Sequence, residues 1–128
     1  MDTTREAFAD WLQKYGRAWE ARDAKAAAEL YAEGGTYQVT PFVEPMRGRV
    51  AILEYWTNVA QTEEDIHFEC EILAVTPEQG IARWWGSFVR VPPGLQTKLD
   101  GIFVISLDGQ GKCTQLREGW HKHQTERA

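Results

Sequence analysis

The chain has 128 residues, which reads as one domain spanning 1–128. Charged residues make up 26% and hydrophobic ones 43%, so a chain of this size can bury roughly two-thirds of its unfolded surface without a disulfide or metal staple. A net charge of -5 argues against nucleic acid and against an anionic membrane as partners, since both require a basic surface.

The first residues, MDTTREAF, lack the basic-then-apolar pattern of a secretory leader. No apolar run approaches the roughly 20 residues of a membrane span. A cytoplasmic location is expected. Cys70 and Cys113 have no CxxC spacing and read as free thiols in half-buried strands.

In chain order, residues 3–22 are predicted to form a helix. Thr3 and Glu6 make a capping-box pattern, and Phe8, Trp11, Leu12, Tyr15 and Trp19 recur at helical spacing. Asp23 can cap a second helix, AKAAAELYA, which Gly34 and Gly35 would end. TYQVT is a short alternating strand. TPFVEPMRGR then turns the chain, with Pro41 ending the strand and Gly48 starting a third helix from Arg49 to about Ala60. Ile52, Leu53, Trp56 and Val59 form its apolar stripe, and Glu44 is placed to pair with Arg47 or Arg49. Four alternating strands follow: IHFECEILAV, GIARWWGSFVRV, TKLDGIFVISL and CTQLREGWHKH. DGQG between the last two is a hairpin signal. Helices first and a strand meander after them predict an α+β fold: a curved, mainly antiparallel sheet wrapped around three helices and enclosing a pocket.

The strand faces locate candidate chemistry. In the last strand Thr114, Leu116, Glu118 and Trp120 share the better core face, which puts Glu118 among apolar neighbours. A buried carboxylate needs a cation or a raised pKa. In strand 81–91 the Arg83–Trp85 face and the Trp84–Arg90 face fit the interior equally well. If the first points inward, Arg83 can pair with Glu118. In strand 97–107, Thr97, Leu99, Gly101, Phe103, Ile105 and Leu107 point inward. Asp100 points outward unless a bulge beside Gly101 turns it in. The apolar residues on that outer face suggest a dimer contact. His121 and His123 share a face but lack a third metal ligand, so no metal site is predicted. The expected pocket walls include Trp19, Tyr37, Phe42, Trp56, Trp85, Phe103, Leu116 and Trp120, suited to an apolar ligand.

Three segments, YGRAWEARDAKAAAELYAEGGTY, PFVEPMRGRVAILEYW and LDGIFVISLDGQGKCTQLREGWH, together resemble the nuclear transport factor 2-like domains of the SnoaL-like and ketosteroid isomerase-like kind. The resemblance implies a cone of curved sheet capped by three helices, a homodimer formed through the outer sheet face, and a pocket inside the cone. It places Tyr15 where ketosteroid isomerases carry an oxyanion-hole tyrosine. Their general base falls at Val39 or Thr40 and their second oxyanion acid at Phe103, so their mechanism is not retained. The run Arg117-Glu118-Gly119-Trp120 resembles the last-strand motif of limonene epoxide hydrolase-like members. It puts Glu118 on a catalytic position, with Arg83 matching their arginine. The resulting expectation is a cofactor-independent acid/base protein for a small apolar molecule, using Glu118 and Arg83, with Tyr15 and Asp100 as further catalytic candidates. The alternative is a non-catalytic binding or dimerisation module whose cone is filled by its own aromatics. A hollow of about 300 Å³ or more favours the first reading and a filled cone the second.

Overall fold

Thr4 opens the first helix, α1 (Arg5–Glu20), by accepting a hydrogen bond from the Ala7 amide at 3.1 Å. The computed structural model in which this is seen describes residues 3–126. The expected cap one residue earlier fails for a tertiary reason. Thr3 is buried, donates its amide to the Pro77 carbonyl at 2.8 Å and accepts from the Leu107 amide at 3.4 Å. The stripe of α1 is as read: Phe8, Trp11, Leu12, Tyr15 and Trp19 are all buried. Burying each side chain of this size contributes roughly 1.5–3 kcal/mol.

Asp23 caps α2 (Ala24–Glu29) through the Ala26 amide at 3.0 Å. This helix is shorter than its alanine run suggests. The Leu30 carbonyl accepts from Cys113 N at 2.8 Å and from Trp11 Nε1 at 2.9 Å, which draws the chain into the sheet. Strand β1 therefore runs Tyr31–Gln38, straight through Gly34 and Gly35. Gly35 is required there, because a Cβ would lie 2.7 Å from the Cys113 carbonyl oxygen.

The turn TPFVEPMRGR contains the two-residue strand β2 (Met46–Arg47), and Gly48, at φ 86°, precedes α3 (Arg49–Thr62). Glu44 forms no ion pair among the described residues. Arg49 instead donates to the Tyr31 carbonyl at 2.6 and 3.1 Å. Ile52, Trp56 and Val59 face inward, whereas Leu53 faces solvent.

The remaining strands are β3 (Glu63–Val75), β4 (Gly80–Arg90), β5 (Leu95–Leu107) and β6 (Cys113–Glu126). The sheet is mixed and unclosed, in the order β2-β1-β6-β5-β4-β3, with β1 parallel to β6 and all other pairs antiparallel. Together with the three helices it makes the expected α+β cone. The inward face of β5 is as read from its alternation. In β6 the register shifts between Ser106 and Leu107, so that Leu107 pairs with Cys113. Buried Cys113 thereby takes the interior place expected for Thr114, which is exposed. Both thiols are free, with Cys70 half-buried.

Candidate functional site

Strand β6 carries Glu118 on its core face, opposite Phe103 of β5 and two residues beyond the fully buried Leu116. The Tyr37 hydroxyl of β1 donates to Glu118 Oε2 at 3.3 Å. Among the described residues no cation pairs with this carboxyl. Burial pushes its pKa well above the ordinary carboxylate value, and the Tyr37 hydrogen bond recovers only part of that shift. Burial thus favours the protonated form of Glu118.

Three tyrosines surround it. Tyr15 and Tyr55 lie against the Tyr37 hydroxyl, and burial raises all three phenols, with the Glu118 charge adding to the rise. Tyr15 is fixed by edge contacts with Trp56 at 5.4 Å and Phe103 at 5.3 Å between ring centroids. These groups bound a hollow of about 80 Å³. Buried Tyr15, Tyr37, Trp84 and Glu118 form its floor, and the more exposed Tyr55, Arg90, Leu99, Trp120 and Lys122 form its rim.

A second carboxyl lines the same hollow. Glu63, at the junction of α3 and β3, accepts from Trp19 Nε1 at 2.8 Å through Oε1. Its Oε2 lies 3.4 Å from Arg90, the residue opposite it in the β3–β4 register. Arg90 is itself anchored on the Thr62 hydroxyl at 2.9 Å and over the Phe88 ring at 5.0 Å. Burial raises the Glu63 pKa to about 7 against the opposing pull of Trp19 and Arg90.

The open choice in β4 resolves toward Trp84. Ala82, Trp84, Gly86 and Phe88 point inward, and Arg83 and Trp85 point outward. Arg83 consequently does not reach Glu118. It binds Asp100 through two hydrogen bonds, at 2.6 and 3.1 Å, and lies 4.7 Å above the Trp85 ring. The Trp85 indole donates to Glu69 at 3.2 Å. No bulge interrupts β5 at Gly101, so Asp100 stays on the outer face. Phe42 does not cover the opening. Its loop is closed by Gln38 donating to the Val43 carbonyl at 3.0 Å, which leaves the ring fully exposed. Phe103 and Leu116 are interior but stand behind the hollow, Phe103 stacked on Trp84 at 5.2 Å. Of the expected site residues, Glu118, Tyr15, Tyr37, Trp19, Trp56 and Trp120 come together at the hollow. Arg83, Asp100, Trp85 and Phe42 do not. Asp100→Asn should therefore give a thermal unfolding curve that overlays wild type, because the ion pair it breaks is about half exposed.

Sequence reasoning missed Glu63, Arg90 and Trp84. Trp84 and Arg90 lay on the alternative face of the β4 pattern. Glu63 sits in the run TEED, which has the look of a solvated helix end. Its position opposite Arg90 depends on strand register. Among the described residues no three His, Cys, Asp or Glu side chains converge as a metal site requires.

Residues 5–116 match the family model described as the SnoaL-like domain. The chain belongs to the SnoaL-like domain family. Solved structures agree on the fold of this SnoaL-like protein. One is an epoxide hydrolase/cyclase-like enzyme, SalBIII, described in pyran ring formation in polyether salinomycin. It shares 18% identity at a TM-score of 0.79, over 91% of this chain and 92% of its own. Another is a candidate isomerase from Bacillus subtilis, with 18% identity, a TM-score of 0.80 and coverage of 91% and 87%. A third is a computationally designed 17-OHP binder, with 17% identity, a TM-score of 0.79 and coverage of 93% and 97%. No curated protein sequence matches significantly. No helix among the described residues is long and apolar enough to cross a membrane.

Proposed function

We propose that this SnoaL-like protein is a cofactor-independent acid/base enzyme for a small, largely apolar molecule, with Glu118 as the proton-exchanging group. One observation carries the reading: Glu118 is buried on the floor of a hollow with no ion-pair partner among the described residues. A carboxyl so placed costs stability, and leucine would pack that position without the penalty. A carboxyl kept neutral at pH 7 can donate a proton or a hydrogen bond to a reacting group. Glu63, poised to ionise near pH 7, is the natural proton acceptor. Pairs of carboxyls in differing environments divide acid and base roles in this way. Tyr37 orients Glu118, and Tyr15 and Tyr55 supply further hydroxyls. Isomerisation, cyclisation, dehydration and hydrolysis all need such a pair, and ring formation by SalBIII is chemistry of this kind.

The test is a compound screen by tryptophan fluorescence, followed by turnover of the hits. Glu118→Gln should lose about 10²–10⁴-fold in turnover while remaining folded. Unchanged turnover would remove Glu118 from the mechanism.

The small hollow favours a second reading. Its volume of about 80 Å³ is well below the roughly 300 Å³ at which ligand pockets usually begin. A non-catalytic binding or dimerisation module, its cone filled by aromatics, fits that figure. The designed 17-OHP binder exemplifies binding by this fold. Hits that bind but never turn over would select this reading.

The outer sheet face supports a homodimer. Ile81, Ile102 and Val104 give it an apolar centre, Glu69 and Glu71 an acidic side on β3, and Arg117, His121 and His123 a basic side on β6. A two-fold axis along the strands lays the acidic side of one copy on the basic side of the other. The absence of disulfide pairing at Cys70 and Cys113 is consistent with a reducing, cytoplasmic setting.

A further inference from the structure

We infer that the outer face of the sheet carries a second ligand site, which takes a small ring-bearing oxyanion, a carboxylate or a phosphate ester. A groove of about 450 Å³ lies there, on the size scale of ligand pockets and well above the 80 Å³ of the inner hollow. Its wall is Trp85, half-buried on β4 and fixed from two sides. The indole N–H donates to Glu69 at 3.2 Å, and the Arg83 guanidinium covers the ring at 4.7 Å. Asp100 in turn holds Arg83 by two hydrogen bonds, at 2.6 and 3.1 Å. The Arg83–Asp100 pair, which has no place at the inner hollow, thus secures an aromatic wall on the outer face. A ring packs on a clamped indole without a further loss of side-chain freedom.

The groups beside that wall select an anion. His67, Ser87, Lys98 and His123 form one row across β3, β4, β5 and β6, each directly opposite the next. Neighbouring strands lie about 4.8 Å apart, so an oxyanion held by Lys98 is within reach of the Ser87 hydroxyl on one side and the His123 ring on the other. Lys98 and His123 have no ion-pair partner among the described residues, and like charges directly opposite each other destabilise a sheet. An anion bound between them removes that cost. The nearby acids are already engaged: Asp100 by Arg83, Glu69 by the Trp85 indole and Asp65 by His67 at 3.2 Å. Lys122 adds a second ammonium at the β6 end of the groove. The groove lies on the face proposed above for the homodimer, but it is complete on one chain and does not rest on that reading. A two-fold axis along the strands between β4 and β5 would set Ser87 of one copy against Lys98 of the other, which keeps the same groups around the anion.

The experiment titrates benzoate, phenyl phosphate, benzamide and benzylammonium into the intact chain, with affinities read together with the indole N–H resonances in ¹H–¹⁵N spectra. At least one of the two anions should bind about tenfold more tightly than benzamide, the margin of a charge-assisted hydrogen bond at a partly exposed site. It should move the Trp85 resonance while those of Trp84 and Trp120 stay in place, and the tighter anion names the headgroup. Raising sodium chloride from about 50 to about 500 mM should erase most of that margin. Lys98→Met should bring both anions to within about threefold of benzamide, and because Lys98 is exposed the fold is not at stake. Benzamide binding as tightly as both anions, tightest binding of benzylammonium, or an undiminished margin in Lys98→Met overturns the inference. So does an anion that moves Trp84 or Trp120 in place of Trp85, because it then sits in the cone. Absence of binding by all four probes overturns it as well. Light scattering on the same samples tests the homodimer separately, and the acid/base reading is decided by the turnover of Glu118→Gln.

Discussion

Glu118→Gln should make the protein more stable at pH 7 and leave it nearly unchanged at pH 4. The carboxyl has an ordinary pKa of 4.5 in the unfolded chain and one well above that when buried. Between those values the native state binds the extra proton, so unfolding stability falls as pH rises. The stability associated with this group is fully present below about pH 4.5 and is lost progressively above it. At pH 7 the group therefore contributes less stability than it does at pH 4. Glutamine is close in shape, carries no charge and can still accept from Tyr37. A gain in stability at pH 7 is expected, with a flatter pH dependence overall. Glu63 contributes a slope of the same sign up to about pH 7, which the variant retains. Urea unfolding at pH 4, 5.5 and 7 measures all of this. A variant destabilised at pH 7 would mean that Glu118 is ionised and paired, and would also remove the basis for its role as an acid. A gain in stability accompanied by loss of turnover is the pattern of a site that spends stability on function.

Gly101→Ala should be the most damaging single-methyl change near the hollow. Gly101 faces Trp120 across the β5–β6 pair. A Cβ there would press on the Gly119 carbonyl oxygen and stand 2.7 Å from Trp120 Cβ. The Gly119 oxygen is backbone and cannot rotate away, so the two strands must separate. The strain falls beside the pairing of Phe103 with Glu118 and so deforms the floor of the hollow as well. A loss of about 3 kcal/mol is expected, at the upper end of overpacking costs, together with loss of binding by hits of the compound screen. Gly34→Ala is the control. Its Cβ meets no atom within 4 Å, and its unfolding curve should stay close to wild type.

The legibility of this chain differed sharply between elements. The α1 stripe was readable because five large apolar residues repeat at helical spacing and all face one core. The end of α2 was not, because AAAE favours helix locally while the capture of the Leu30 carbonyl by Cys113 and Trp11 is a contact over long sequence separation. The same holds for the cap at Thr3. The β4 faces were ambiguous because each carries a Trp and an Arg. Alternation sets which residues share a face but not which face the helices cover.

Sequence alone determined the α+β class, the family resemblance and the inward placement of Glu118, since Leu116 and Trp120 share its face at a period of two. Only the tertiary structure decided what stands around it. Strand order brought Tyr37 of β1 beside β6, and β3–β4 register set Glu63 against Arg90. The inward turn of Trp84 sent Arg83 out to Asp100. The physical reason is range. Period and propensity act over a few residues, whereas a site is assembled from strands that meet only when the sheet curves around its helices.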